Sequence, residues 1–178
     1  MNNDYQVTQK IIHWLMATLI ILDLFVAQKF GGVMSTIDRL DSRVDHSTMG
    51  LIVLSLFLVR LYLRFKYGSP KEPETMPVWQ TKLSKAAHHL LYLLMAILFI
   101  SGLCTAINAT SPITLFGLMD ITRGNTDDGF FQFIRQFHET ATMGIIVLIS
   151  IHIVAALYHH FIVRDEILTK MIRFKKNN

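Results

Sequence analysis

Residues 136–162 read QFHETATMGIIVLISIHIVAALYHHFI. Between Ala141 and Ile151 this run carries no charged side chain. A helix crossing a bilayer needs about 20 mostly apolar residues, and its backbone groups must then bond to each other. The stretch therefore reads as a membrane-spanning helix. It also holds His138 and His152, fourteen residues apart. That spacing is close to four helical turns and about 21 Å of rise. Both rings leave one face of the helix, at two depths.

Three further stretches have the same character, at about 11–30, 46–65 and 86–107. The fold class expected is all-α: an integral membrane four-helix bundle forming one domain over residues 1–178. Composition agrees. The chain is 52% hydrophobic and only 17% charged, too apolar for an ordinary soluble domain of this length. Its single cysteine, Cys104, excludes an internal disulfide framework, a four-cysteine iron–sulfur site and a covalent CxxCH haem site. The first apolar run follows Asp4 and a single Lys10, and no small-residue cleavage site follows Val26-Ala27-Gln28-Lys29. It is read as a retained span.

Lysine and arginine set the expected orientation. Twelve of the seventeen fall on one side: Lys10, Arg60, Arg64, Lys66, Lys71, Lys82, Lys85, Arg164, Lys170, Arg173, Lys175 and Lys176. Both termini are then cytoplasmic. The 67–82 loop lies inside, and the 31–44 and 108–135 loops lie outside. Within the last, Gly124 to Gly129 reads as a turn, and Leu115 to Met119 as a patch on the membrane surface. The basic tail from Lys170 to Lys176 suits anionic lipid headgroups rather than nucleic acid.

Histidines at two heights suggest two haems, each clamped between imidazoles from facing helices. Ionisable residues inside a membrane are costly and mark function. At the outer level His46 opens the second helix as His138 opens the fourth. At the inner level His13, His88 and His89 all lie near the cytoplasmic ends of their helices, and spacing does not choose among them to pair with His152. Arg60, fourteen residues after His46, falls at the level of His152, with Arg64 one turn further in. Either can meet haem propionates or serve as a snorkelling anchor. Arg43 and Arg135, three residues before the outer histidines, are candidates for the same role outside. Gly50 and Gly144 remove side chains where a porphyrin would lie, although helix packing also favours glycine. Asp23, inside the first span, has no assigned role beyond bonding a neighbouring helix.

In combination these features resemble the bacterial cytochrome b561 family. The resemblance rests on Ile-Ile-His13-Trp14-Leu, on His46 with Gly50, on His138-Glu139-Thr140 through His152, and on Ala155-Ala156-Leu157-Tyr158-His159-His160. It implies a four-helix bundle with two haems b, the iron of one bound by His13 and His152 and that of the other by His46 and His138. It leaves His88 beside the inner haem without ligation and puts His159 at a quinone pocket. It further implies oxidation of superoxide outside and reduction of ubiquinone, with His159 or His88 relaying a proton. An anion is drawn by positive potential, yet the outward segments carry five basic against seven acidic residues, so attraction there would fall to a local Arg43 and Arg135 cluster. The competing readings are a quinone-reducing membrane-anchor subunit fed by a partner redox protein such as a dehydrogenase or hydrogenase, and a haem-free metal or proton carrier.

Overall fold

The computed structural model describes residues 4–28, 35–73, 76–116, 118–124 and 128–174. Lys29, Gly117, Asn125 to Asp127, Lys175 and Lys176 lie outside the described residues, so the expectations resting on them are not addressed. The elements are α1 (Val7–Gln28), α2 (Thr36–Tyr67), α3 (Val78–Ile107), a two-stranded hairpin of β1 (Thr114–Leu115) and β2 (Met119–Asp120), α4 (Asp128–Tyr158) and α5 (Ile167–Ile172). A π-helical turn, His159–Val163, extends α4. Four helices are long and apolar enough to cross a membrane.

The helices outrun the apolar stretches that announce them. α2 has 32 residues, about 48 Å, against a hydrocarbon thickness of about 30 Å. Its first turns, Thr36 to Asp45, carry Asp38, Arg39, Asp41, Arg43 and Asp45. Ser35 caps them, its Oγ accepting from Asp38 N at 3.1 Å. At the other end Gly68 takes a φ of 68° and donates its N–H to Arg64 O at 2.9 Å, closing the helix. Large apolar side chains point outward along every span: Phe25, Leu93, Ile100 and Val154 are each more than half exposed, as lipid-facing residues are. Hydroxyls within the spans turn back on their own helix, as Thr142 Oγ1 does to His138 O at 2.8 Å.

Packing pairs the helices as two antiparallel hairpins, α1 on α2 and α3 on α4. Direct contact between the hairpins is sparser. They meet in a buried layer of Met16, Val53, Phe57, Met95 and Ile145. Ile145 is 1% exposed and lies seven residues from both His138 and His152. The core of the bundle is thus a septum between two histidine levels.

Asp4 and Phe174, the first and last described residues, lie at one end of the bundle, here the terminal end; β1 and β2 lie at the other, the hairpin end. Lys10, one of the twelve cations counted on the inner side, is fully buried, its Nζ 2.9 Å from Asp4 Oδ2 and donating to Arg173 O at 2.6 Å. Its charge is spent on fastening the two ends of the chain. Trp14 Nε1 donates to Met171 O at 3.1 Å, and Gln9 Nε2 donates to Leu63 O and Gly68 O. The short α5, absent from the sequence reading, is held against α1 by these bonds. At the hairpin end Phe116, Leu118 and Met119 are exposed. Phe116 N donates to Thr48 Oγ1 at 3.4 Å, tying the hairpin to α2 two residues after His46. The Asp120 carboxyl is held below the usual carboxylate range by the Thr122 backbone N–H.

Candidate functional site

Two imidazole pairs bridge the gap between the helical hairpins. Near the hairpin end, His46 of α2 faces His138 of α4 with ring centres 6.3 Å apart and planes at 70°. Near the terminal end, His13 of α1 faces His152 of α4 at 6.4 Å and 78°. His88 of α3 also meets His152, at 5.4 Å and 84°.

These distances discriminate. A metal–imidazole bond is about 2 Å long. Two rings on opposite sides of one iron therefore have centres about 6 Å apart. The His46–His138 and His13–His152 pairs fit that span without movement of the helices; the His88–His152 contact is shorter than it. His13 Nδ1 is buried with no hydrogen-bond partner among the described residues. A methyl on Gly50, one turn after His46, would meet no atom within 4 Å, so that side of α2 is open to a flat group. The donor set and the gap fit a haem at each level.

Hydrogen bonds fix several rings. His46 Nδ1 lies 2.8 Å from Asp23 Oδ1 on α1. A carboxylate only accepts, so Nδ1 carries the proton, and in the neutral ring Nε2 is then the acceptor nitrogen. His138 Nδ1 lies 2.9 Å from Ser101 Oγ on α3, and that hydroxyl donates onward to Ile97 O at 2.7 Å. His138 Nδ1 is therefore the donor to Ser101, and in the neutral ring its Nε2 is the acceptor nitrogen. Gly102 makes this approach possible: a Cβ there would stand 3.1 Å from His138 Cε1. His88 Nδ1 donates to Ser84 O at 2.7 Å.

The arginines divide between the two levels. Arg60 is within electrostatic reach of His13, His152 and His88, as its spacing from His46 predicts. Arg64 bonds Tyr5, whose hydroxyl burial pushes above its ordinary pKa. At the hairpin end Arg43 lies within reach of both Arg135 and Arg39, a cationic cluster in an otherwise acidic set of loops. Arg135 Nε is 2.8 Å from Glu139 Oε1 on the same helix, with both side chains about half exposed, and this pairing offsets part of the cluster's charge. A cleft of about 320 Å³ lined by Val26, Val44, Asp45, Thr48, Met49 and Phe116 opens beside His46.

His159 stands apart from both levels. It opens the π-helical turn, and its Nδ1 pairs with the Asp165 carboxylate. Asp165 Oδ1 in turn accepts from Ile167 N at 3.0 Å, at the start of α5. The wider turn and the left-handed Arg164 (φ 60°) fold the chain back so that His159 and Asp165 meet. His89, the remaining inner-level candidate, is exposed on α3. The sequence reading gave Asp23 no role and did not single out Ser101 or Asp165. An acid, a serine or an Asp six residues after a His has no periodic signal that says which ring it will meet.

Residues 4–174 match the family described as prokaryotic cytochrome b561. Cytochrome b561 homolog 1 of Escherichia coli (strain K12) is 27% identical over 177 residues, 98% of this chain and 99% of its own length. Cytochrome b561 homolog 2 of the same organism is 29% identical over 173 residues, 94% of this chain and 90% of its own. The probable superoxide oxidase CybB of Yersinia pestis is 25% identical over 179 residues, 99% of both chains.

Proposed function

From this chain's membership of the prokaryotic cytochrome b561 family, whose members are membrane electron-transfer proteins with haem b, we propose that it holds two haems b in series and delivers electrons to a quinone. The observation that carries this reading is the pair of imidazole gaps, 6.3 Å and 6.4 Å wide, at two heights of one bundle. His46 and His138 would hold the haem iron at the hairpin end, and His13 and His152 would hold it at the terminal end. Bound haem b supplies a one-electron carrier at each level.

The rest is done by the chain's own groups. Arg60 is the propionate partner at the terminal-end level, and Arg43 and Arg135 serve the other level. Asp23 and Ser101 hold the ring protons of His46 and His138 on Nδ1, which keeps both Nε2 atoms toward the metal. The septum around Ile145 excludes water between the levels. The Arg39, Arg43 and Arg135 cluster, beside the cleft at His46, is a docking place for a small anion. We assign superoxide as that donor and ubiquinone as acceptor, on the kinship with the probable superoxide oxidase of Yersinia pestis. Two superoxide ions then give up one electron each, leaving two O₂, while one quinone takes two electrons and two protons to become a quinol. His159, held by Asp165 near the terminal end, gives one of those protons from its imidazole, and water at that end supplies the other. Ten of the fourteen described basic residues fall toward the terminal end, which makes it the cytoplasmic one, in the bacterial inner membrane.

Haem quantified per purified chain, with a reduced-minus-oxidised visible spectrum, tests the core of this. Two b-type haems are expected, falling to one in His46→Ala and one in His13→Ala, with His88→Ala keeping both. A chain without haem, or loss of haem in His88→Ala but not in His13→Ala, overturns it. Superoxide-driven quinone reduction that persists at full rate in His159→Ala removes His159 from the proton path.

A further inference from the structure

Asp23 is the one acidic side chain in the middle of α1, ten residues beyond His13 and surrounded in sequence by Leu19, Ile20, Ile21, Leu22, Leu24 and Phe25. An ionised carboxylate at that depth is expensive unless a donor meets it. The donor is the His46 ring, 2.8 Å away, and the Asp23 side chain is only 15% exposed. We infer that Asp23 is a positioning residue that makes the hairpin-end haem the stronger electron donor of the two, so that electrons run toward the terminal end. This rests on the haem reading above.

A carboxylate accepting the Nδ1 proton of a ligating histidine fixes the ring's orientation and raises the basicity of Nε2. A more basic Nε2 favours the ferric over the ferrous state, because the oxidised iron carries the extra positive charge. Among the described residues, no other of the four ligand rings has a carboxylate on its Nδ1. His138 meets the neutral Ser101 hydroxyl, and His13 Nδ1 meets nothing. The two levels are alike in ring spacing and unlike in what stands behind the rings. The asymmetry lies along the direction of transfer: one electron leaves iron at the His46 level, which becomes ferric, and reduces iron at the His13 level, with no proton gained or lost at Asp23.

The test is potentiometric titration of purified Asp23→Asn and Asp23→Glu in detergent, followed optically and by EPR. The two haems are assigned with His46→Ala and His13→Ala. In Asp23→Asn the ferrous-to-ferric ratio of the hairpin-end haem is expected to rise at least tenfold at fixed potential, 59 mV for a one-electron couple. Its ferric EPR signal should move, and the other haem should stay unchanged. Loss of the hairpin-end haem from Asp23→Asn but not from Asp23→Glu also supports the assignment, since only the carboxylate then holds the ring. Two bound haems with both couples within threefold of wild type overturn it. So does loss of that haem from both variants, which marks a packing position. A wild-type chain without haem is a separate outcome, and it removes the haem reading itself.

Discussion

Replacing Gly102 by alanine adds one methyl group where His138 stands. The new Cβ would lie 3.1 Å from His138 Cε1 and 3.5 Å from its Nδ1. Carbon atoms in contact settle at about 3.5 Å or more, so the ring or α3 must yield by about 0.4 Å. The ring has little freedom to do so, because Ser101, the preceding residue, holds its Nδ1 at 2.9 Å. Overpacking of this kind costs about 1–3 kcal/mol. At about 1.4 kcal/mol per tenfold, the hairpin-end haem should be held about 5- to 150-fold less tightly. Transfer of haem to excess apomyoglobin, followed by visible absorbance, reads this directly: one of the two haems should leave faster, and the other at the wild-type rate. At Gly144, by contrast, an added Cβ would meet Leu94 Cδ1 at an ordinary 3.8 Å. Identical transfer curves for Gly102→Ala and wild type would refute the claim that His138 is fixed in this ring position as a ligand.

Lys10→Met should lower stability in detergent by about 1–3 kcal/mol, less than a fully enclosed pair because Asp4 is 26% exposed; an unchanged thermal midpoint refutes the fastening role. Arg60→Gln removes a cation within reach of His13 and His152. A nearby cation favours the less positive ferrous iron, so the terminal-end haem should become harder to reduce, and a titration showing the opposite sign refutes the placement. The imidazole planes cross at 70° and 78°, which brings two iron d orbitals near the same energy. Ferric EPR should therefore show strongly anisotropic low-spin signals for both haems, and ordinary rhombic signals of parallel rings would contradict these geometries.

The 14-residue interval between His138 and His152 made the two-level arrangement legible, because four helical turns leave no ambiguity about facing. The partner rings were not legible from spacing. His13, His88 and His89 share one depth, and only the three-dimensional distances of 6.4 Å and 5.4 Å separate the first two. Asp23 was visible as an oddity, but a lone acid on an apolar helix can turn to any neighbour, and its partner lies 23 positions away. The helix starts were missed at Thr36, Val78 and Asp128 for one reason: hydropathy reports contact with lipid, while the backbone stays helical beyond it. The burial of Lys10 depends on α5 folding back, which six residues do not announce.

The layer of Met16, Val53, Phe57, Met95 and Ile145 gives the bundle a property of its own. Hydrocarbon side chains stop ions and protons, which have no solvation there, while an electron tunnels through. The chain is thus a wire inside an insulator. On the proposed reading, with a haem at each level and the hairpin end outside, each electron would travel about 21 Å of a barrier about 30 Å thick. Against a voltage negative inside, at about 2.3 kcal/mol per charge per 100 mV for the full crossing, that step is uphill by about 1.6 kcal/mol per 100 mV. An energised cell would slow the transfer and a depolarised one would speed it, which makes the rate of quinone reduction in sealed vesicles a voltmeter for the membrane.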